Sequence, residues 1–353
     1  MNGQRPGAGA AAGRAADAPR DDAPRDDAPR DDAPRDESAI IERFFRHLGA
    51  VREDVVLGIG DDAALLRAAG GCELVQTTDA LVEGVHFLPD SPPRSLGHRA
   101  LAVNLSDLAA MGADPAWALL SLTLPQADER WLAEFATGFG LLAREHGVAL
   151  VGGNLSRGPL TLTVMLTGQV PSGAALRRSA GRAGDELWVS GTLGDAAQGL
   201  ELLRSPDRVP SAEEHWLRQR FAYPAPRVAL GRALRGLASA CIDLSDGLWT
   251  DLPRLAGASG CGAELELECL PIAPALRAVA GESAWQRALV GGEDYELCFT
   301  AAPGQAAPLL ALADRLGVPL TRCGRLRAEA GVQLRRGPDV IQFSHSRCDH
   351  FLP

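Results

Sequence analysis

Apolar residues fall into recognisable periods only after about residue 38. Ile40, Ile41, Phe44, Phe45 and Leu48 recur at helical spacing up to Gly49, with Ser38 placed as an N-cap. Short apolar runs then predict strands at Val55–Ile59, Glu73–Thr77, Trp117–Thr123, Ala149–Val151 and Leu160–Val170, with helices over Arg94–Met111 and Asp128–His146. A Pro-Ser-Gly break at 171–173, followed by Arg177 and Arg178, marks a domain boundary. Beyond it the pattern predicts strands at Glu186–Ser190, Ala240–Asp243, Ala263–Leu267 and Glu296–Thr300, a helix at Asp195–Arg204 and another from about Leu248. Strand and helix patterns alternate, so the folded part reads as α/β, divided into residues 38–173 and 174–353. Residues 1–37 stand apart. They hold a near-perfect Asp-Ala-Pro-Arg-Asp repeat from Asp17 to Asp36, with almost nothing apolar to bury, and are expected to be a disordered tail.

Composition narrows the chemistry. All 35 basic residues are Arg, which excludes a lysine Schiff base and a P-loop lysine. A formal net charge of −10 argues against a nucleic-acid groove, and 2 Tyr and 9 Phe leave little for base stacking. The seven cysteines (Cys72, Cys241, Cys261, Cys269, Cys298, Cys323 and Cys348) are odd in number and form no C-x-x-C pair, which fits reduced thiols rather than a disulfide framework or a zinc site. No secretory leader and no membrane span is expected, so the location expected is cytoplasmic.

Acidic residues recur where apolar strands run out. Asp61 and Asp62 follow Val-Val-Leu-Gly-Ile-Gly, and Asp79 follows Val-Gln-Thr-Thr. Asp243 and Asp246 lie in Ile-Asp-Leu-Ser-Asp-Gly, and Glu293 and Asp294 follow Leu-Val-Gly-Gly. One such residue is ordinarily a turn former or helix cap, but four places in one chain, each beside Gly or Thr, indicate a ligand site at strand ends. Asp107 is the sharper signal, because it lies with Asn104 on one face of a helix apolar on nearly every side. A carboxylate there needs an Arg partner or a metal. Two such charges at ~4 Å repel by about 4 kcal/mol at an effective dielectric near 20, and oxygen ligands favour Mg²⁺ or Mn²⁺. Gly152-Gly153-Asn154 after a strand, and Gly191-Thr192-Leu193-Gly194-Asp195 before a helix, are candidate phosphate-binding turns, with Arg157 and Arg178 as candidate positive charges. His86 is a candidate substrate contact. These residues together point to a Mg²⁺-dependent enzyme that transfers phosphoryl groups without a Walker loop.

Five blocks then become recognisable: Gly-Ile-Gly-Asp-Asp-Ala-Ala-Leu-Leu (58–66), Thr-Thr-Asp-Ala-Leu-Val-Glu-Gly-Val-His-Phe (77–87), Ala-Val-Asn-Leu-Ser-Asp-Leu-Ala-Ala-Met-Gly-Ala-Asp-Pro (102–115), Ile-Asp-Leu-Ser-Asp-Gly-Leu (242–248) and Gly-Gly-Glu-Asp-Tyr-Glu-Leu (291–297). In this order they resemble the thiamine-monophosphate kinase family. The resemblance implies the two-domain AIR-synthetase-like fold, with an N-terminal α/β domain that binds ATP and Mg²⁺ and dimerises through its sheet, and an α+β C-terminal domain. It implies ATP-dependent phosphorylation of thiamine monophosphate to thiamine diphosphate, by direct in-line transfer in a cytoplasmic homodimer. By the same resemblance Asp62, Thr77, Thr78, Asp79, Asp107, Asn154, Asp243 and Asp246 hold several Mg²⁺ ions, with Asp62, Asp107 and Asp246 the catalytic carboxylates. Gly153, Arg178 and Ser245 contact ATP, while His86, Glu293 and the position of Cys348 contact the thiamine phosphate.

Two departures from the family pattern stand out. Asn154 occupies a position commonly Asp, which removes one negative charge, and Cys348 precedes Asp-His-Phe where an aromatic often covers the thiamine. Two rival readings differ in kind. One is a relative of the same fold that uses ATP to activate an amide or carboxylate oxygen, but the chain lacks the Lys and the terminal Cys that its branches use. The other is a catalytically retired binder of nucleotide or thiamine phosphate. Turnover with Mg²⁺ discriminates among them.

Overall fold

The computed structural model describes residues 36–205 and 209–344. The expected tail and Cys348 therefore lie outside the described residues, apart from the tail's last two positions. Helix α1 (Glu37–Ile40) is capped by Asp36, whose carboxylate accepts from the Ala39 N–H at 2.8 Å, and runs on into a π-helical turn over Ile41–Phe45. Asp36 displaces Ser38 as the cap because a charged acceptor at the helix start also complements its dipole. Ile40 and Phe45 enter the core as the helical spacing implied.

A small ribbon of β1 (Val55–Leu57) and β2 (Leu65–Leu66) precedes a four-stranded sheet. That sheet comprises β3 (Cys72–Val82), β4 (Asp114–Leu124), β5 (Ala149–Arg157) and β6 (Thr161–Pro171) in the order β3-β6-β4-β5. Only its β4/β5 pair is parallel. Helices α2 (Pro93–Ala110) and α3 (Glu129–Glu145) cover one face. Alternation along β3 leaves Leu74, Gln76 and Thr78 exposed on the other face. α2 is apolar all round because it is enclosed all round, by α3, the sheet, α6 (Val228–Ala233) and β8 (Ala240–Leu244).

The second sheet is built from β7 (Glu186–Ser190), β8, β9 (Gly262–Glu266), β10 (Glu296–Ala301), β11 (Leu320–Arg327), β12 (Val332–Arg336) and β13 (Asp339–Ile341), in the order β13-β12-β9-β11-β7-β10-β8. Its helices are α4 (Asp195–Arg204), α5 (Ala212–Ala222), α7 (Leu248–Ala258), α8 (Pro274–Ala280), α9 (Ala284–Val290) and α10 (Ala306–Leu316). Leu187, Val189, Ile242, Leu265 and Cys298 form its buried centre with Leu252 and Leu255 of α7. The six described cysteines are free thiols, and among the described residues no helix is long and apolar enough to cross a membrane.

Candidate active site

Three separate elements deliver carboxylates to one place. Alternation along β3 turns Thr77 and Asp79 toward α2 and Thr78 the other way. Near the end of α2, Ser106 reaches toward β8 and Asp107 toward β3, and Asp243 arrives at the end of β8. Thr77 Oγ1 donates to Asp107 Oδ2 at 2.5 Å, and Ser106 Oγ donates to Asp243 Oδ2 at 2.8 Å. Each of these two carboxylates thus commits Oδ2 to a hydroxyl and leaves Oδ1 without a partner among the described residues.

Burial, then the charges of Asp107 and Glu293, raise the pKa of Asp79 to about 6. Asp107 is raised by burial, against the Thr77 hydrogen bond and the charge of Arg178. Burial raises Asp243 as well, followed by repulsion from Asp107, while Ser106 and Arg178 oppose the rise. Arg178, itself exposed, is therefore the positive charge shared by the cluster. Among the described residues no Arg forms an ion pair with Asp107 in place of a metal. The buried Arg of that helix, Arg99, pairs instead with Glu293.

The chain around Asp246 completes this side. Asp246 N–H donates to Asp251 Oδ2 at 2.9 Å, and Arg254 pairs with Asp246 at 2.7 Å and with Asp251 at 2.6 Å. The 291–295 segment docks on the same loop, with Glu293 N–H donating to Ser245 O at 2.8 Å and Tyr295 N–H to Leu244 O at 3.0 Å. Gly292 is required there, since a Cβ would lie 2.5 Å from Ser245 O. His86 lies in the turn after β3, where its Nδ1 accepts from Val82 N–H at 3.1 Å, so the neutral ring carries its proton on Nε2.

Other expected site residues fall elsewhere. Asp62, Gly153 and Asn154 line a groove of about 930 Å³ on the open face of the first sheet, with Ile41, Phe45 and Met165. Gly152-Gly153-Asn154 is not a turn after a strand but part of β5, paired through a bulge with Leu119, Leu120 and Ser121. Only glycine allows this pairing, because a Cβ on Gly153, at φ 153°, would lie 1.8 Å from Leu120 O. Asn154 Nδ2 donates to Ser156 Oγ at 3.0 Å. Arg157 Nε reaches Pro125 O rather than the carboxylates. The 191–195 turn is closed to phosphate: Gly194 and Ala196 N–H donate to Asp294 at 2.6 and 3.1 Å, and Leu193 N–H donates to Pro271 O at 2.9 Å.

Sequence reasoning passed over Ser106, Asp251, Arg254, Tyr295 and Arg99. The signal for Arg99 was its place eight residues before Asp107, two helical turns along one face.

Among the described residues no three Asp, Glu, His or Cys side chains form a ready-made metal cage. The donors still fit a hard divalent cation. All are oxygen, two have an open carboxylate oxygen, and Mg²⁺ ordinarily takes one or two protein carboxylates plus waters and substrate phosphates.

The AIR synthase related proteins match this chain twice, their N-terminal domain over residues 60–170 and their C-terminal domain over residues 182–337. Thiamine-monophosphate kinase of Salmonella typhimurium is 46% identical over 320 residues, covering 89% of this chain and 98% of that protein. The crystal structure of thiamine-monophosphate kinase from Stenotrophomonas maltophilia superposes with a TM-score of 0.77 at 49% identity, covering 80% of this chain and 92% of that one. AaThiL complexed with AMPPCP and TMP superposes with a TM-score of 0.70 at 34% identity, over 80% of this chain and 90% of that one.

Proposed function

This chain belongs to the thiamine-monophosphate kinase family of the AIR synthase related proteins, and we propose that its Asp79–Asp107–Asp243 cluster is where ATP meets thiamine monophosphate. It is a kinase that transfers the γ-phosphoryl group of ATP to the phosphate of thiamine monophosphate, giving ADP and thiamine diphosphate. The observation that carries the placement is the pair of half-used carboxylates, Asp107 and Asp243, held on different elements with their Oδ1 atoms open. A protein that had only to be stable would not keep repelling carboxylates together in its interior.

Both substrates are anionic, so the transfer needs positive charge where phosphate oxygens crowd. Mg²⁺ held by Asp79, Asp107 and Asp243 would neutralise phosphate charge there, and Asp62 and Asn154, in the open-face groove, are proposed to hold a further ion. Asp246, Thr77 and Thr78 belong to the same proposed set. The chain's own residues orient the reactants. Thr77 and Ser106 lock the rotamers of Asp107 and Asp243, and Arg178 adds a permanent charge beside them. Gly153, Arg178 and Ser245 are proposed to contact ATP, and His86 and Glu293 the acceptor. The acceptor oxygen is a phosphate oxygen already ionised at neutral pH, so direct in-line attack needs no strong base.

Residues 38–173 form the proposed nucleotide and dimerisation domain, and residues 174–353 the second domain. The open face of the first sheet, with Leu74 52% exposed, is the proposed homodimer contact, and the enzyme is proposed to act in the cytoplasm.

Incubating the chain with ATP, Mg²⁺ and thiamine monophosphate, then separating thiamine products by chromatography, tests the whole reading. Thiamine diphosphate rising in step with ADP supports it. ADP with free phosphate and no diphosphate favours an amide-activating relative, and bound ATP with no turnover favours a retired binder.

A further inference from the structure

Glu293 and Tyr295 both sit in left-handed backbone, at φ 74° and 52°, with Asp294 between them turned into the protein. A non-glycine residue there is uncommon and persists where surrounding contacts fix it. Glu293 is fixed by its side chain as well as by the backbone. Arg99 Nη2 and Tyr295 Oη both donate to the same oxygen, Oε2, the latter at 2.9 Å. The second oxygen, Oε1, has no partner among the described residues, and the Glu293 side chain keeps 27% of its surface exposed.

Arg99 is itself immobilised. Its side chain is 2% exposed, Nη1 donates to Phe221 O at 2.6 Å, and the guanidinium lies 4.2 Å over the Phe221 ring. Arg99 therefore joins α2, which also carries Ser106 and Asp107, to the segment that carries Glu293. Asp79 lies within electrostatic reach of both Asp107 and Glu293, which puts the Glu293 carboxylate beside the carboxylate cluster.

We propose that Arg99 is a positioning residue for the acceptor. With Tyr295 it sequesters Oε2 so that Oε1 of Glu293 is offered to an N–H-donating or cationic heterocycle of the acceptor, not to its phosphate. A carboxylate near Asp79 repels a phosphate but attracts a thiazolium or accepts from an aminopyrimidine. This inference rests on the reading that Glu293 meets thiamine monophosphate.

The test is steady-state kinetics on the full chain with Arg99→Lys, Tyr295→Phe, Glu293→Gln and Arg99→Lys/Glu293→Gln, together with calorimetric titration of unphosphorylated thiamine. Arg99→Lys and Tyr295→Phe are each expected to raise KM for thiamine monophosphate about tenfold, the effect of one charge-assisted hydrogen bond, with KM for ATP unchanged. Thiamine binding is expected to weaken by the same factor, and the double variant to be no worse than Glu293→Gln alone. Additive losses, or an equal rise in KM for ATP, would show that Arg99 only supports the fold. Unaltered thiamine binding beside weakened thiamine monophosphate binding would place Glu293 at the phosphate and overturn the proposal. If Glu293→Gln itself leaves KM unchanged, the underlying reading of Glu293 fails, a result distinct from failure of Arg99 alone. Should Arg99→Lys not fold, Tyr295→Phe carries the same test, because it removes a single donor from the same oxygen.

Discussion

Ser106 Oγ donates to Asp243 Oδ2 at 2.8 Å across 137 residues of chain, and both groups are buried. The hydroxyl fixes the orientation of a carboxylate whose pKa is otherwise pushed up by burial and by Asp107. Ser106→Ala removes the donor and lets that pKa rise further. The variant should bind Mg²⁺ more weakly at neutral pH, by about 1–3 kcal/mol, and recover part of the loss at higher pH as Asp243 ionises. Rate against Mg²⁺ concentration at two pH values measures this. A deficit that does not shrink on going to the higher pH would show that the hydroxyl acts only through packing.

Asp107 is the residue whose loss separates catalysis from folding. Asp107→Asn keeps an oxygen for the Thr77 hydroxyl but removes a buried charge that repels Asp79 and Asp243. It should lower kcat at least about a hundredfold, some 3 kcal/mol of barrier, while the melting temperature stays level or rises. Near-full kcat in this variant would mean that Asp107 serves the fold.

The sequence made the acidic strand ends legible because each follows a visible apolar run, and α2 was readable to within a residue because nothing in it interrupts the helical pattern. β7 and α4 matched their predicted bounds for the same reason. The Gly152-Gly153-Asn154 stretch read as a turn because two glycines carry a turn signal, whereas pairing with β4 overrides that local preference. The partnership of Arg99 with Glu293 was beyond reach, since 194 residues separate them and only the packing of α2 against the second sheet's loops brings them together. Helices α8 and α9 and strands β12 and β13 hold seven residues or fewer, too few to show a period.

Asn154 offers a gain-of-affinity test. It is exposed on edge strand β5 and shares the open-face groove with Asp62, and among the described residues its side chain bonds only to Ser156. Asn154→Asp adds a negative charge to a side chain that lines the groove. Half-saturating Mg²⁺ should fall about fivefold, a gain of roughly 1 kcal/mol, with little change in stability because the site is exposed. An unchanged Mg²⁺ dependence of rate would remove Asn154 from the metal set.

Asp294 makes the pH dependence of folding predictable away from the reacting groups. Burial, then the charge of Asp195, lifts its pKa to about 8, while the amides of Gly194 and Ala196 at the start of α4 oppose the rise. In the unfolded chain the same group titrates near 4. Between those values the native state holds a proton that the unfolded state has released, so stability falls as pH rises, by up to about 1.4 kcal/mol per pH unit for this one group. Asp195, raised to about 6 by burial, adds to the fall over the lower part of that window. Asp294→Asn removes this titration but cannot accept from both α4 N–H groups, so whatever its offset from the parent at pH 5, its stability relative to the parent should rise steadily from pH 5 to pH 8. Urea unfolding of both proteins at pH 5, 6.5 and 8 measures the difference. Parallel pH profiles would show that Asp294 is ionised in the native protein throughout, its charge carried by the two amides of α4.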